Sequence, residues 1–188
     1  ATGYGGDAAM RDTAAGILEY TLARQNADGS WYYSFRNGCG KKQFDFHQVY
    51  MLDGIDAYTA AVDGDTRERI AAGFQRGLDF YLNMFDRQGR PYFRYPHFYP
   101  IDIHNVAHGI YFFSKYRDRV KDGETHLAQL LRLCRRYFWN EKLPGFRYQL
   151  YPFHWRIGHN FIRWNDAWSV LALTEYWRNS KRTGNPEA

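Results

Sequence analysis

Apolar residues return every three or four positions in three stretches of the chain. They are Ala14, Ile17, Leu18, Thr21 and Leu22; then Ile70, Phe74, Leu78, Tyr81, Leu82 and Phe85; then Leu127, Leu130, Leu131, Cys134, Tyr137 and Phe138. That period places one apolar stripe along a helix, as expected of an outer helix that buries only its inward face. Each stripe runs into a turn-rich, aromatic segment: Gln25 to Tyr33, Asp86 to Tyr95 and Asn140 to Tyr148. Each turn is followed by a second run, Asp45 to Ala61, Ile103 to Lys115 and Trp164 to Trp177. These second runs are apolar over more of their circumference, with Val49, Leu52 and Ile55, then Val106, Ile110 and Phe113, then Trp168, Leu171 and Leu173. They are predicted inner helices.

Asp45 and Asp102 lie 57 residues apart, and Asp102 and Arg163 lie 61 apart. The repeat is therefore one helix pair of about sixty residues joined by a turn and a strand-like segment. The predicted class is all-α: three αα-hairpin repeats forming a partial α/α toroid, with short β-hairpin-like aromatic segments at one end. Residues 1–188 read as a single domain of this kind. Three hairpins are half of a six-hairpin ring, so exposed inner faces imply a homodimer, closure of the arc, or a missing amino-terminal half.

Composition narrows the choice. The chain has 188 residues with 45% hydrophobic and 24% charged content, enough apolar mass for a core. Its 16 Tyr and 6 Trp suit a surface that stacks on sugar rings as well as a core. The net charge of +5 comes from dispersed residues such as Arg67, Arg76 and Arg94, without a dense block. That pattern argues against nucleic acid and is met equally by an acidic polysaccharide. No stretch reaches the length of a membrane-spanning helix, so no membrane partner is expected. Two cysteines, Cys39 and Cys134, in no metal-binding spacing favour a reducing, cytoplasmic setting.

Gln25, Gly29 and Trp31 match the QW repeat of triterpene cyclases. In that pattern glycine allows a left-handed turn, glutamine ties the helix end and tryptophan packs back over it. The acidic string of those cyclases is absent, so an isoprenoid cyclase-like function ranks behind the other readings. A broader resemblance covers Gln25 to Tyr33, Phe44-Asp45-Phe46-His47, Tyr99 to His104 and Ile162 to Trp168. Together these segments resemble bacterial α/α-toroid proteins associated with polysaccharide biosynthesis. The resemblance implies a six-hairpin-type fold and a carbohydrate connection. Arg163-Trp164 followed by an acid is also similar to the carboxy-terminal part of glucuronyl epimerases.

The residue set that could carry chemistry follows from the repeat. Asp45-x-His47 and Asp102-x-His104 occupy one place in successive units, and the third unit offers Arg163-Trp164-Asn165-Asp166 instead. Near one mouth, Asp45, His47, Asp102, His104 and Arg163 would supply the acid and base that sugar hydrolysis, elimination or C5 epimerisation needs. The competing role for both aspartates is helix capping. Tyr32, Tyr92, Tyr148 and Trp164, with Arg94, Arg147 and Asp166, form the expected substrate-binding set: rings for a pyranose face and guanidinium groups for a uronate. His104 and His108 share a helix face, but no His-Glu-x-x-His string accompanies them, and no metal site is assigned. With no phosphate-binding glycine loop and no serine or cysteine nucleophile motif, no cofactor is called for. The expected partner is an oligo- or polysaccharide, met by a glycoside hydrolase, polysaccharide lyase or sugar epimerase. A non-catalytic glycan-binding or assembly module is the alternative.

Overall fold

A computed structural model describes residues 8–36, 39–62 and 64–182. Among the described residues six α-helices carry the fold: α1 (Ala8–Ala23), α2 (His47–Thr59), α3 (Gly64–Tyr81), α4 (Ile103–Tyr116), α5 (Gly123–Leu133) and α6 (Ala167–Arg182). Five short strands among the same residues complete it: β1 (Ser34–Arg36), β2 (Cys39–Lys41), β3 (Ile101–Asp102), β4 (Gln149–Leu150) and β5 (Arg156–Ile157). The class is thus dominated by helix, with the strands confined to the segments between helices. β1 and β2 pair antiparallel, while β3, β4 and β5 form a three-stranded antiparallel sheet.

Helix α4 is the centre of the molecule, packed against α5 and α6 and joined to α2. Ten consecutive residues, Ile101 to Ile110, are buried, including His104, Asn105 and His108. Asp53 of α2 accepts hydrogen bonds from Tyr111 (2.6 Å) and Lys115 (2.6 Å) of α4, so the far ends of these two helices are tied by charge. The stripe of α3 is used as predicted, with Ile70, Phe74, Leu78 and Tyr81 buried, and α5 buries Leu127 and Leu130. The outermost helices depart from expectation. Of α1 only Leu18 is buried, and Ile17 stays 63% exposed. The α6 run, predicted to be an inner helix because it is apolar over more of its circumference, leaves Val170, Leu171 and Trp177 exposed. A stripe is buried only where a neighbouring element lies against it, and periodicity does not supply the neighbour.

The Gln25–Gly29–Trp31 element is a staple. Gln25 donates to the carbonyls of Gly29 (3.1 Å) and Gly73 (2.8 Å), and accepts from Arg76 (2.8 Å). Trp31 is buried and its indole donates to the Thr21 carbonyl at 2.9 Å. Gly29 has φ +91°, and a Cβ there would stand 2.1 Å from the Arg76 carbonyl oxygen. Glycine is required on both counts. The staple fixes the end of α1 against α3 and so sets where the chain enters α2.

Candidate functional site

The chain approaches α2, α4 and α6 in the same way each time, and three buried amides hold the approach. Gln48 donates to the Trp31 carbonyl (2.9 Å) and accepts from the Trp31 N–H (3.0 Å). Asn105 donates to the carbonyls of Tyr92 and Phe93, and Asn165 to those of Phe146 (2.8 Å) and His159 (3.0 Å). These clamps satisfy carbonyls that would otherwise be buried unpaired, which makes them costly to remove. They also set the register of the repeat. With Gln48, Asn105 and Asn165 equivalent, Asp45 and Asp102 correspond to Ile162, and His47 and His104 correspond to Trp164. The third unit therefore has no counterpart of the acid, and the expected alignment of Arg163 with the two aspartates is corrected by one position.

Both aspartates hold a backbone N–H at a helix start, Asp102 as the N-cap of α4 and Asp45 from one residue before Phe46, the N-cap of α2. Asp45 Oδ1 accepts the His47 backbone N–H at 3.1 Å, and Asp102 Oδ1 accepts that of His104 at 2.9 Å. Their side-chain partners then differ. Asp45 Oδ1 also lies 2.6 Å from His47 Nδ1, and Oδ2 accepts from Gln43 at 2.9 Å. Burial alone would raise the Asp45 carboxyl, but the hydrogen bonds from His47 and Gln43 outweigh it and hold it below the ordinary value. An ionised carboxylate only accepts, so Nδ1 of His47 donates to it, and Nε2 of this side chain, one-third exposed, takes no part in that bond.

Asp102 holds no histidine ring. Strand pairing of β3 with β4 sets Gln149 opposite Asp102, and Gln149 Nε2 donates to Asp102 Oδ2 at 3.1 Å. Burial raises this carboxyl above the ordinary value, and the hydrogen bonds from His104 N–H, Gln149, Trp164 and Tyr148 offset that only in part. The His104 ring is turned instead into an aromatic pile. It stacks on Phe46 at 4.1 Å and on His108 at 4.5 Å, meets Trp164 edge-on at 3.9 Å and faces the Tyr50 hydroxyl at 3.5 Å. His108 in turn packs on Trp168 at 4.3 Å, and its Nδ1 donates to the His104 carbonyl at 2.9 Å. Burial pushes His104 down to about 3 and His108 down to about 4, so both rings are neutral near pH 7. The His104 ring is thus no partner of Asp102, which it meets through its backbone N–H alone, contrary to the expectation of two equivalent acid-histidine couples.

Phe46 lies between the couples, stacked on His47 at 4.3 Å on one side and on His104 on the other. Around it gather Asp45, His47, Tyr50, His104, Trp164 and, through Trp164, Asp102. Tyr148, Arg163 and Trp164 line an open cleft of about 870 Å³ together with Asn160, Phe161 and Ile162. The remaining predicted binding residues lie elsewhere. Tyr32 packs on Phe35 and Phe44, Tyr92 on Tyr95 and Phe98, and exposed Arg94 over Phe93. Arg147 donates to the Trp139 carbonyl. Asp166 accepts from the Phe146 N–H (2.9 Å) and Asn160 (3.1 Å), which makes it a brace of the turn before α6. Phe46, Tyr50, His108 and Trp168 complete the cluster; the sequence pairs His108 with His104 on one helix face but assigns it no site, and it does not place the other three at a site. His108 and Tyr50 sit one turn beyond His104 and His47, and that i+4 and i+3 spacing was the available signal. Among the described residues no group of three or more His, Cys, Asp or Glu side chains is arranged to hold a metal. Comparison of the chain with protein-family models, with curated proteins and with solved structures finds no match.

Proposed function

We propose that this protein acts on an anionic oligo- or polysaccharide by acid-base chemistry at the start of its inner helices, within a partial α/α toroid of three αα-hairpins. The observation that carries the reading is the opposite treatment of two buried carboxyls beside one aromatic cluster. Asp45 is held ionised against His47, and Asp102 is pushed toward its protonated form beneath Trp164 and Tyr148. Environments that push paired titratable groups apart define an acid and a base. His47, oriented by Asp45, is the base, and Asp102 is the acid. Arg163, exposed at the cleft beside Tyr148 and Trp164, supplies a guanidinium for a uronate carboxylate, and the rings supply a stacking face. Hydrolysis, elimination and C5 epimerisation all use this pair.

Incubation with uronate oligosaccharides in D2O, followed by proton NMR, separates the three. Hydrolysis gives new reducing-end signals, elimination gives a vinyl proton, and epimerisation exchanges H5 for deuterium. One of these is expected from the wild type and none from Asp102→Asn. Binding without chemistry is the second reading, favoured by the Phe46 ring that keeps His47 and His104 apart. It predicts unchanged sugars and calorimetric binding that survives Asp45→Asn and Asp102→Asn but not Trp164→Ala.

A further inference from the structure

The hairpin formed by β4 and β5 ends in a tip, Tyr151 to Trp155, closed by a hydrogen bond from the Tyr151 N–H to the Trp155 carbonyl at 2.7 Å. At that tip Phe153 is 100% exposed and Trp155 65% exposed. Phe153 and His154 both occupy the left-handed backbone region, with φ of 57° and 61°. The tip is joined to a basic surface, because His154 stacks on Tyr137 at 5.0 Å. Tyr137 lies in the π-helical turn Cys134–Phe138 that continues α5. There Arg132, Arg135 and Arg136, spaced to share one helix face, line a cleft of about 600 Å³ with Tyr137 and Glu141.

A few exposed or half-buried cations meet carboxylates, among them Arg69 with Glu19 (2.5 Å), Arg90 with Asp86 (2.6 Å) and Lys115 with Asp53 (2.6 Å). Among the described residues none of the three arginines of the cleft has an ion pair, Glu141 included. A fully exposed phenyl ring beside a set of uncompensated guanidinium groups matches the two demands of an anionic lipid surface, an apolar wedge and cations at headgroup depth. A glycan would be met differently. It asks for a ring held flat by its neighbours and flanked by hydrogen-bonding groups, as Trp164 is, whereas Phe153 stands clear of the protein.

We propose that the Tyr151–Trp155 tip and the Arg132–Arg135–Arg136 face dock this protein peripherally on an anionic lipid bilayer. No helix among the described residues is long and apolar enough to cross a membrane, and docking of this kind needs none. This departs from the sequence expectation of no membrane partner and does not depend on the reading of the cleft.

Flotation with vesicles tests it, using phosphatidylcholine alone and phosphatidylcholine mixed with phosphatidylglycerol. The wild type is expected to float with the mixed vesicles, to stay behind with the neutral ones, and to be released by high salt. Phe153→Ser should weaken binding about tenfold, the effect of withdrawing one buried aromatic ring. Arg135→Gln with Arg136→Gln should weaken it by at least as much, at about fivefold per charge near the surface. All three positions are exposed, and unchanged circular dichroism certifies the variants. The proposal is overturned if neither vesicle binds, if neutral vesicles bind equally, or if Phe153→Ser binds as well as wild type. Retention on an immobilised acidic polysaccharide through these residues, with no vesicle binding, also overturns it and gives the surface to a glycan.

Discussion

Asp45-Phe46-His47-Gln48 and Asp102-Ile103-His104-Asn105 are nearly the same words, and the molecule uses them differently. Both aspartates hold a backbone N–H at a helix start and both amides clamp the incoming strand, so everything decided within a few residues is shared. The histidine rings diverge because their surroundings do. His104 starts the central helix and is enclosed by Phe46 on one side and by Trp164 and Trp168 on the other. His47 starts a helix with fewer neighbours, keeps one-third of its side chain in solvent and turns back to its own aspartate. Local sequence sets the cap. The neighbouring helix decides whether the next ring stays at the surface or joins the core.

The sharpest break between the two couples should come in turnover. If His47 and Asp102 are base and acid, His47→Gln and Asp102→Asn each lower the rate on uronate oligosaccharides by about 10²–10⁴. His104→Phe should leave it within about tenfold, measured as initial rates with folding checked by circular dichroism.

Next in size is the shared clamp, where the couples should not differ. Gln48→Ala, Asn105→Ala and Asn165→Ala each leave buried backbone carbonyls unpaired, and each should cost about 1–3 kcal/mol in urea unfolding. A loss confined to Asn105 would mean that the three starts are not equivalent.

Acid then separates the histidines. Folding depresses His104 and His108 from 6.5 to about 3 and about 4. Their contribution is therefore fully present above about pH 6.5 and is lost as pH falls toward about 4 for His108 and about 3 for His104, because the unfolded chain takes up protons that the folded chain refuses. Lowering the pH from about 7 to about 5 should cost up to about 2 kcal/mol per ring. The loss of unfolding free energy should be smaller in His104→Phe.

The smallest effect carries opposite signs. The folded state favours the charged form of Asp45, so Asp45→Asn should destabilise near neutral pH by about 1 kcal/mol. It disfavours the charged form of Asp102, so Asp102→Asn, which also keeps a good capping residue, should be neutral or stabilising. Paired thermal melts at one pH read the sign directly.

The third unit explains why the site was only half legible. Arg163 drew the alignment because it is charged and stands beside Trp164, yet Asn165, buried and bonded to two carbonyls, is the residue that corresponds to Gln48 and Asn105. An amide clamp has no loud signature in a sequence, since Asn and Gln are common in turns for other reasons. Tyr32, Tyr92 and Arg94 were read as part of one mouth because each follows a turn, but each packs locally in its own segment. The apolar residues of Trp164 to Trp177 predict an inner helix, yet Val170 and Leu171 remain open because no neighbouring element lies against them.

What the residues determined alone is whatever a turn or two of chain can enforce: the helix stripes, the Gly29 turn with its Trp31 staple, the aspartate caps and the sixty-residue repeat. Those depend on backbone sterics and on side chains reaching three or four positions along the chain. Tertiary structure decided which histidine is buried, that Gln149 rather than a histidine ring holds the Asp102 side chain, and that Phe46 stands between the couples. Burial and pairing across β3 and β4 join residues 47 positions apart. Burial raises both carboxyls, and the hydrogen bonds from His47 and Gln43 reverse it only at Asp45; that burial exists only once those segments have met.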